Sequence, residues 1–503
     1  MSARWRPVVL AWLLVTLATA VPYLKHALAP PPGLTFTGVL FWREDMYQYL
    51  MYVQQAEAGA VLFRNKLLLE PHRPALLNPE WWLVGRLSAA LGGSPLLAYR
   101  LFGVALSIVL VVLLDTWLRK AGLPPAHRLP ALLLVLTGGG LGGIVYQVLG
   151  PPAWRSLDLV TGIFPFIELL ANAHFVLGTT MLLAALLAFL HGRDGLGVAL
   201  GTLLGLARPY DVVTLVAARG VAVLWTEPRH RWARKLLPLA GFAPVAAYLY
   251  WVFYVSPIFS VFFYEKGPRI AVPWGAYTLA LAPAVALAAL ALVGRRPASA
   301  AEKHLLAWAA VGLAMLIVHP VAFYLQFLVG LGLPLLSLGA LALARWRVNV
   351  SWLAAIVMSS TAAVATSIVL RPEPRWMVPS ARMEAARALR GPCRDGGVLL
   401  APPDIGLFAA GLTGCKPYVS ERLRPPQRDA DASAFYGEAT AATRTAILDA
   451  GCITHLALPG DAGEVPVAWL GEGTPFRRAA LVNDPAWPVS LYMRPAPASC
   501  VPR

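Results

Sequence analysis

Charged side chains are scarce in this sequence. Asp, Glu, Lys and Arg make up 14% of its 503 residues, whereas soluble domains carry about 25%. Hydrophobic residues account for 58% of the chain, and long apolar runs recur through most of its length before the last segment. A soluble globular protein is therefore excluded, and the composition predicts a polytopic α-helical membrane protein.

Several motifs are also missing. The sequence has no Gly-rich nucleotide cradle, no metal-ligand cluster of known spacing, no internal repeat and no low-complexity region. Any activated substrate must therefore reach the protein without a nucleotide-using domain. Cysteine is rare, and all four residues (Cys393, Cys415, Cys452 and Cys500) lie near the C-terminus. They allow three pairings, with buried free thiols as the alternative to disulfides.

The formal charge of +16 is concentrated in short loops between the apolar runs. The two largest polar segments, residues 29–95 and 373–503, are nearly balanced in charge. Short basic loops are the positive-inside signal that sets membrane topology, so we expect no nucleic-acid partner. This signal places the N-terminus in the cytoplasm and both polar segments outside it.

Apolar runs and basic loops together predict about eleven membrane segments. Residues 196–225 are too long for one span and are expected to form a hairpin of two short helices, with its tip at residues 208–211. A signal peptide is the alternative to a retained anchor for the first segment. The other segments are predicted at residues 8–28, 96–118, 129–150, 163–190, 236–257, 272–293, 304–319, 321–344 and 349–370.

Two domains follow from this pattern. Residues 1–370 form a transmembrane domain that includes the large external loop 29–95, and residues 371–503 form a small extracytoplasmic α/β domain. The expected strands cover residues 397–401, 453–458 and 489–493, and the expected helices cover 380–389 and 440–448.

Two adjacent carboxylates, Glu44 and Asp45, stand out in the external loop. They precede residues 46–57, a predicted amphipathic helix along the membrane surface. Neighbouring carboxylates can share charge, which raises one pKa and suits a general base. The alternative is that Asp45 caps the helix, a contribution of about 1 kcal/mol.

The same loop contains Glu70 and His72, followed by Trp81 and Trp82. The two tryptophans suit a membrane interface. His72 is a candidate ligand or proton carrier, and an exposed loop histidine is the alternative.

The membrane segments add further candidates. Glu168 and Asn172 are four residues apart and are predicted to share a helix face, with His174 pointing elsewhere. Such groups are costly in a membrane and indicate function, unless they form a network between helices. At the hairpin tip, Arg208 could bind a phosphate through two parallel hydrogen bonds, and pairing with Asp211 is the alternative.

Two outward turns contain the remaining candidates. Lys266 and Arg269 carry positive charge that could attract a lipid phosphate. His319 lies in a later turn, shortly before Tyr324 and Gln326. For this whole group, solvated anchors at the interface are the alternative.

Together these features resemble the GT-C superfamily of membrane glycosyltransferases. More narrowly, they resemble a bacterial group of uncharacterised members related to protein O-mannosyltransferases and aminoarabinose transferases. The resemblance rests on the order of the motifs and on the topology. The matching stretches are Asp45-x-x-x-Tyr49-Leu50, residues 70–72, Tyr99-Arg100, residues 172–175 and residues 205–211.

The resemblance implies a polyprenyl-phosphate-linked sugar as donor and inverting transfer outside the cytoplasm, in a bacterial inner membrane. It assigns the role of catalytic base to Asp45, with Glu44 as its partner. In the superfamily the equivalent residue can also bind the acceptor or a metal, so Asp45 is the candidate ligand should Mg²⁺ or Mn²⁺ be used. The sugar and the acceptor, whether glycan, lipid or protein, stay open.

The lipid phosphate is often held by Arg or Lys near the late segments of such enzymes. This chain has neither residue between Lys303 and Arg345, so Arg208, Lys266, Arg269 or His319 is expected to take that role. Two other functions stay open: a lipid or polysaccharide transporter, which predicts repeated halves, and a non-catalytic envelope assembly protein that binds partners through its tail.

Overall fold

The contacts of the chain define two compact units. The computed structural model describes residues 4–149, 158, 162–256, 258–259, 272–293, 299–319, 323–346, 351–370, 376–393, 396–460, 470, 475–484, 488–496 and 500. The membrane unit comprises Met1–Leu24 and Tyr99–Arg371, and the loop-tail unit comprises Lys25–Ala98 and Pro372–Arg503. The division of the sequence at residue 371 stays a prediction, and the contacts add that the large loop clusters with the tail.

The described α-helices, in chain order, are α1 (Arg6–Leu28), α2 (Arg43–Glu57), α3 (Pro79–Ala90), α4 (Pro95–Lys120), α5 (Arg128–Thr137), α6 (Gly142–Leu149), α7 (Pro165–Ala171), α8 (Ala173–Leu190), α9 (Asp194–Ala207), α10 (Pro209–Thr226), α11 (Trp232–Leu236), α12 (Ala243–Tyr250), α13 (Trp274–Leu290), α14 (Ala300–Val318), α15 (Gly332–Trp346), α16 (Ser351–Leu370), α17 (Ser380–Ala388), α18 (Pro403–Leu412), α19 (Pro426–Tyr436) and α20 (Ala441–Ala450). The strands are β1 (Leu34–Phe36), β2 (Met377–Pro379), β3 (Val398–Leu400), β4 (Lys416–Pro417), β5 (Ile453–Pro459), β6 (Arg477–Val482) and β7 (Val489–Met493).

Apolar helices dominate the membrane unit. Within the described part of the chain, six helical segments are long and apolar enough to cross a membrane. The chain is therefore a multi-pass membrane protein, and the count of eleven segments stays a prediction. The six segments are Arg6–Leu28, Pro95–Lys120, Ala173–Leu190, Arg229–Val255, Ala300–Val318 and Tyr324–Trp346.

Two predicted spans are interrupted by short breaks. The span predicted at residues 129–150 divides into α5 and α6 around a glycine cluster. There the amide of Gly139 donates to the carbonyl of Val357, and the amide of Leu141 donates to that of Leu279. A Cβ at Gly140 would collide with the backbone of Ala280, so the absence of a side chain permits this close contact. Irregular backbone in a membrane protein needs such protein partners.

The prediction of one continuous helix over residues 163–190 is wrong. Asn172 has an extended backbone and separates α7 from α8, where its side chain accepts a hydrogen bond from the amide of His174. An Asn side chain satisfies the amides at the start of a helix better than it satisfies a helix interior. Glu168 and Asn172 therefore do not share a continuous helical face.

The predicted hairpin of short helices is present as α9 and α10. The helices are separated at Arg208, which has an extended backbone and is followed by Pro209 at the first position of α10. Proline suits that position because its missing amide hydrogen would have no helical partner there. Arg208 and Asp211 are consequently placed at the break, as the sequence predicted.

The loop-tail unit joins residues from both ends of the chain. Strands β1 and β2 pair antiparallel, with Thr35 opposite Val378. Five further strands form one sheet in the order β4-β3-β5-β7-β6. The strand and helix positions expected in the tail are confirmed by β3, β5, β7, α17 and α20.

Helix α2 packs inside the loop-tail unit, against α3 and α18. Glycines permit the close approach, since a Cβ at Gly85 would meet Val53 and Ala56, and a Cβ at Gly411 would meet Tyr47. The Tyr47 ring lies edge-on to Phe408 with 4.8 Å between centroids. The sequence predicted an amphipathic surface helix, whereas seven of its residues are buried in this unit.

Two disulfides stabilise the tail. Cys393 pairs with Cys415, and Cys452 pairs with Cys500, with Cα–Cα distances of 5.0 and 5.6 Å. Neither cysteine pair is left as free thiols. The pairing that the sequence left open is thereby resolved.

Candidate active-site residues

The acidic pair lies in the first turn of α2. Helix α2 begins at Arg43, preceded by Trp42 in the left-handed region at φ 49°, and no side chain caps it. The interpretation of Asp45 as the helix cap is therefore wrong, because the helix starts three residues earlier than predicted. Glu44 and Asp45 still favour the helix start, where negative charge complements the helix dipole.

Asp45 is held by an arginine from the tail. Its Oδ1 lies 3.0 Å from Nη1 of Arg422, and its side chain is 28% exposed. Arg422 is itself positioned by Gln48, whose Oε1 accepts a hydrogen bond from Nε at 2.9 Å. The carboxylate of Asp45 is thus oriented by protein groups while part of it reaches solvent.

A second ion pair lies beside the first. Two carboxylate oxygens of Glu421 accept hydrogen bonds from Nη2 of Arg43 at 2.6 and 2.8 Å. The Arg43 guanidinium also stacks over the Phe408 ring, 5.5 Å from its centroid. Burial raises the pKa of Glu421, helped by the nearby charges of Asp404 and Glu44 and opposed by Arg43.

Glu421 and Arg422 were not among the residues that the sequence singled out. They follow strand β4, and their partners in α2 lie more than 370 positions away. Positions just after a parallel strand often carry functional side chains in α/β folds. Their position after β4 was the only feature of the sequence that could have singled out Glu421 and Arg422. No neighbouring residue links either of them to Asp45.

The other candidates of the large loop have structural partners. Oε1 of Glu70 lies 2.5 Å from Nη2 of Arg428. For His72, Nδ1 contacts the carbonyl of Glu70 at 2.8 Å, and Nε2 accepts from the amide of Asn65 at 3.1 Å. Both ring nitrogens of His72 therefore bind the backbone, which favours a loop-bracing role over proton transfer.

In the membrane unit, Arg208 and Asp211 form a buried ion pair. Nε of Arg208 lies 2.6 Å from Oδ2 of Asp211, and the two side chains are 2% and 6% exposed. Nη2 of Arg208 also donates to Oε1 of Gln326 at 3.1 Å. The guanidinium lies 4.8 Å from the centroid of the Phe175 ring. Gly178 makes room for the pair, since a side chain there would collide with Asp211.

Glu168 lies near this pair and is fully buried. Its Oε1 accepts a hydrogen bond from the hydroxyl of Thr179 at 3.1 Å, and Arg208 and Asp211 are close enough to interact with it electrostatically. Within the described residues its Oε2 is buried without a hydrogen-bond partner. Glu168, Arg208 and Asp211 therefore form one polar cluster.

Asn172 and His174 belong to a separate arrangement. The hydroxyl of Tyr99 donates to Oδ1 of Asn172 and accepts from the amide of His174 at 2.9 Å. The His174 side chain is buried beside Phe175. These contacts are the interhelical network that the sequence left as the alternative.

The late turn is partly buried. The His319 ring stacks on Tyr324 with 3.9 Å between centroids, and the Tyr324 hydroxyl lies 2.5 Å from that of Tyr277. Tyr324 is thus buried inside the unit, so its interpretation as a solvated anchor is wrong, whereas His319 and Gln326 are half-buried. Lys266 and Arg269 lie outside the described residues.

A metal at Asp45 finds little support among its neighbours. Among the described residues, no group of three or more His, Cys, Asp or Glu side chains is arranged to hold a metal ion. Asp45 faces Arg422, whose positive charge disfavours a bound cation. The described residues do not fit a metal site, and we derive no reaction step through one.

No protein-family model matches the sequence, and no curated protein matches it. Among solved structures, the chain is similar to the arabinofuranosyltransferase AftD from Mycobacteria, with a TM-score of 0.56 and 17% identity. The match covers 98% of this chain and 40% of the AftD chain. The chain thus spans about two fifths of the length of that relative. A mutant AftD structure gives a TM-score of 0.55 at 16% identity, covering 98% and 41% of the two chains.

A further similar structure is that of ArnT from Cupriavidus metallidurans bound to undecaprenyl phosphate. Its TM-score is 0.47 at 14% identity, and the match covers 98% of each chain. The match to AftD extends over nearly the whole of this chain. The chain therefore shares the fold of this arabinofuranosyltransferase, as the resemblance of its sequence to membrane glycosyltransferases implied.

Proposed function

We propose that the protein is a membrane glycosyltransferase that takes a sugar from a polyprenyl-phosphate-linked donor. Two findings support the proposal: the fold shared with an arabinofuranosyltransferase, and a partly exposed, oriented carboxylate at Asp45. The donor class comes from the sequence resemblance. The sugar, a pentose or a hexose, and the acceptor are not specified by these findings.

In this reaction the acceptor hydroxyl attacks the anomeric carbon of the donor sugar. The new C–O bond forms as the bond from that carbon to the phosphate oxygen breaks, which inverts the anomeric configuration. The polyprenyl phosphate leaves with the bonding electrons, and Asp45 takes the proton of the attacking hydroxyl. General-base catalysis of this kind contributes about 10²- to 10⁴-fold in rate.

The contact between Asp45 and Arg422 is the main support for the assignment of Asp45 as the base. A catalytic carboxylate must be fixed in orientation yet reachable by the acceptor. Arg422 fixes one oxygen of Asp45, and the exposed fraction of the side chain leaves part of the carboxylate reachable. Glu44 is its neighbour in the same helical turn and contributes negative charge near Glu421.

Arg208 is the proposed partner of the donor phosphate. A guanidinium can share hydrogen bonds between a carboxylate and a phosphate, and it stabilises the charge that develops on the leaving group. Its contacts with Asp211 and Gln326 would hold it in place for this role. Glu168, Asn172 and His174 are proposed to shape the same donor region, while Lys266, Arg269 and His319 remain alternative phosphate ligands.

We propose that transfer occurs outside the cytoplasm of a bacterial cell, at the inner membrane. Disulfides form and persist in oxidising compartments, and two of them lie in the loop-tail unit. The basic loops favour a cytoplasmic N-terminus and an external loop-tail unit.

The proposal is tested with the purified protein in sealed vesicles that contain a radiolabelled polyprenyl-phosphate sugar. We expect label to move covalently to an acceptor fraction from a bacterial envelope, with release of polyprenyl phosphate. Label that crosses the bilayer while still attached to its lipid would favour a transporter. Absence of both transfer and transport would favour an assembly protein.

A further inference from the structure

A basic cavity lies within the loop-tail unit, apart from the proposed base. It has a volume of about 850 Å³ and is lined by residues of the large loop and of the tail, among them Arg64, Asn65, Lys66, Arg73 and Lys416. Ligand sites for small molecules commonly occupy about 300 to 1,000 Å³. The cavity is therefore large enough for a sugar residue rather than a single ion.

The cavity wall is strongly positive. Arg64, Lys66, Arg73 and Lys416 all line it, and no acidic residue occurs among its described lining residues. Glu70 is the nearby carboxylate that interacts with Lys416, and it forms an ion pair with Arg428 at 2.5 Å. The positive charge of the wall is thus not neutralised by a carboxylate in the cavity itself.

The two lysines line the same cavity and are close enough to repel one another. Burial and, to a smaller extent, the charge of Lys416 lower the pKa of Lys66 to about 8. The pKa of Lys416 is lowered chiefly by burial and then by Arg64. Nζ of Lys66 contacts the carbonyl of Thr413 at 3.5 Å. A bound anion would relieve the repulsion between these half-buried ammonium groups.

Asn65 provides an independent sign of a ligand. Its side chain is fully buried and lines the cavity. Oδ1 accepts from the amide of Leu67 at 3.1 Å, whereas Nδ2 has no hydrogen-bond partner among the described residues. Buried donors are seldom left unpaired in native proteins. An acceptor oxygen in the cavity would satisfy this one.

The cavity and the candidate base lie at opposite ends of helix α2. Gln55 lines the cavity near the end of α2, and Asp45 lies in its first turn. At 1.5 Å per residue, the two positions are about 15 Å apart along the helix. The cavity is therefore distinct from the surroundings of Asp45.

We propose that this cavity is a binding site for an anionic saccharide, a sugar that bears a carboxylate or a phosphate. Lys66 and Lys416 bind the anionic group, Asn65 donates a hydrogen bond through Nδ2, and Arg64 and Arg73 attract the ligand at the cavity mouth. The site binds its ligand whether or not the protein transfers sugars, so its test does not depend on the proposed function.

Titration calorimetry on the full-length protein in detergent tests the site. Glucuronate and glucose 1-phosphate supply the carboxylate and phosphate arms, and glucose is the neutral control. We expect one-to-one binding of at least one anionic sugar, about 10-fold or more tighter than glucose, since hydrogen bonds to charged groups are the stronger ones. The arm that binds more tightly identifies the anionic group. Equal binding of all three sugars would overturn the proposal, as would no binding of any.

Two double variants assign the binding to the cavity. Lys66→Gln with Lys416→Gln removes both lysines, and Arg477→Gln with Arg478→Gln removes the same charge from exposed positions on β6. We expect the lysine variant to bind about 10-fold or more weakly and the arginine variant to bind within about twofold of the wild type, since exposed charges are largely screened. Equal losses in both variants would overturn the assignment.

Lysine labelling gives a readout that needs no variant. A lysine with a pKa of about 8 reacts rapidly with acetic anhydride near pH 8. The anionic sugar should slow labelling of Lys66 several-fold, as measured by mass spectrometry, while leaving Lys25 unchanged. Slowing that is equal at both lysines, or absent at Lys66, would contradict binding in this cavity.

Discussion

Two ion pairs of this protein, Arg208–Asp211 and Arg422–Asp45, differ in burial and in the origin of their partners. Arg208 and Asp211 are 2% and 6% exposed and lie three positions apart in the membrane unit. Arg422 and Asp45 are 19% and 28% exposed and come from opposite ends of the chain, within the loop-tail unit. Both pairs join an arginine to an aspartate, yet they should respond differently to substitution.

Because the two ion pairs differ in burial, substitutions in them should differ in their effect on folding. A buried charge that loses its partner is strongly destabilising, because it can neither ionise cheaply nor reach water. A half-exposed charge that loses its partner remains solvated, and the ion pair itself contributes at most about 1 kcal/mol. We therefore expect substitutions in the Arg208 pair to affect folding as well as transfer, and substitutions in the Asp45 pair to affect transfer with little effect on folding.

The largest expected loss of stability comes from Arg208→Met. It leaves Asp211 buried without its partner, which should lower the free energy of unfolding by about 3 to 5 kcal/mol. The matched variant Arg422→Met should cost at most about 1 kcal/mol. Thermal unfolding in detergent measures both. Equal losses of stability in the two variants would contradict the expected difference between the buried and the exposed pair. The double variant Arg208→Met with Asp211→Leu should recover much of the stability, because it leaves no unpaired buried charge.

Removal of the Cys452–Cys500 disulfide should destabilise only the loop-tail unit. The bond joins residues 48 positions apart, and disulfides typically contribute about 2 to 4 kcal/mol. Because all four cysteines lie in the tail, a Cys452→Ser and Cys500→Ser variant should speed proteolysis there and leave the membrane unit unchanged. Faster cleavage of the membrane unit would show that the two units do not unfold separately.

Close packing around α2 should make Gly411→Ala destabilising. The new Cβ would lie 2.7 Å from the Tyr47 ring and 2.8 Å from its carbonyl oxygen, and overpacking typically costs about 1 to 3 kcal/mol. Gly391→Ala is the matched control, since nothing lies within 4 Å of its added Cβ. A neutral Gly411→Ala, measured by thermal unfolding, would mean that α2 and α18 shift apart easily.

The smallest expected effect is that of Glu421 on the pH dependence of stability. Its raised pKa means that the native protein holds this proton more tightly than the unfolded chain does. Stability is therefore lost as the pH rises from the ordinary glutamate value, about 4.3, through the raised one. Glu421→Gln should abolish this part of the pH dependence, an effect below about 1 kcal/mol. Identical pH profiles of wild type and variant, from denaturant unfolding, would contradict the raised pKa.

The sequence could predict features whose causes are local. The hairpin broken at Arg208, with Pro209 beginning the next helix, follows from charge and helix-stop signals within a few residues. Strand β5 follows from a short apolar run between polar segments. The acidic pair at Glu44 and Asp45 was visible for the same reason, because both residues are adjacent.

Features that depend on distant residues could not be predicted. Arg422 reaches Asp45 only because the tail folds onto the large loop. The break at Asn172 was missed because an apolar run masks a helix start, and its capping role depends on Tyr99, 73 positions away. Without knowledge of tertiary contacts, hydrophobic periodicity cannot locate such partners.

The most direct test of the proposed base compares two aspartates that each pair with an arginine in the loop-tail unit. Asp45→Asn removes the proposed base, and Asp429→Asn changes an equivalent exposed partner of Arg424. With a polyprenyl-phosphate sugar as donor, we predict that Asp45→Asn lowers kcat by about 100-fold or more, while its thermal unfolding and the activity of Asp429→Asn stay near wild type. Full transfer activity in Asp45→Asn, or an equal loss in Asp429→Asn, would contradict the assignment of Asp45 as the base.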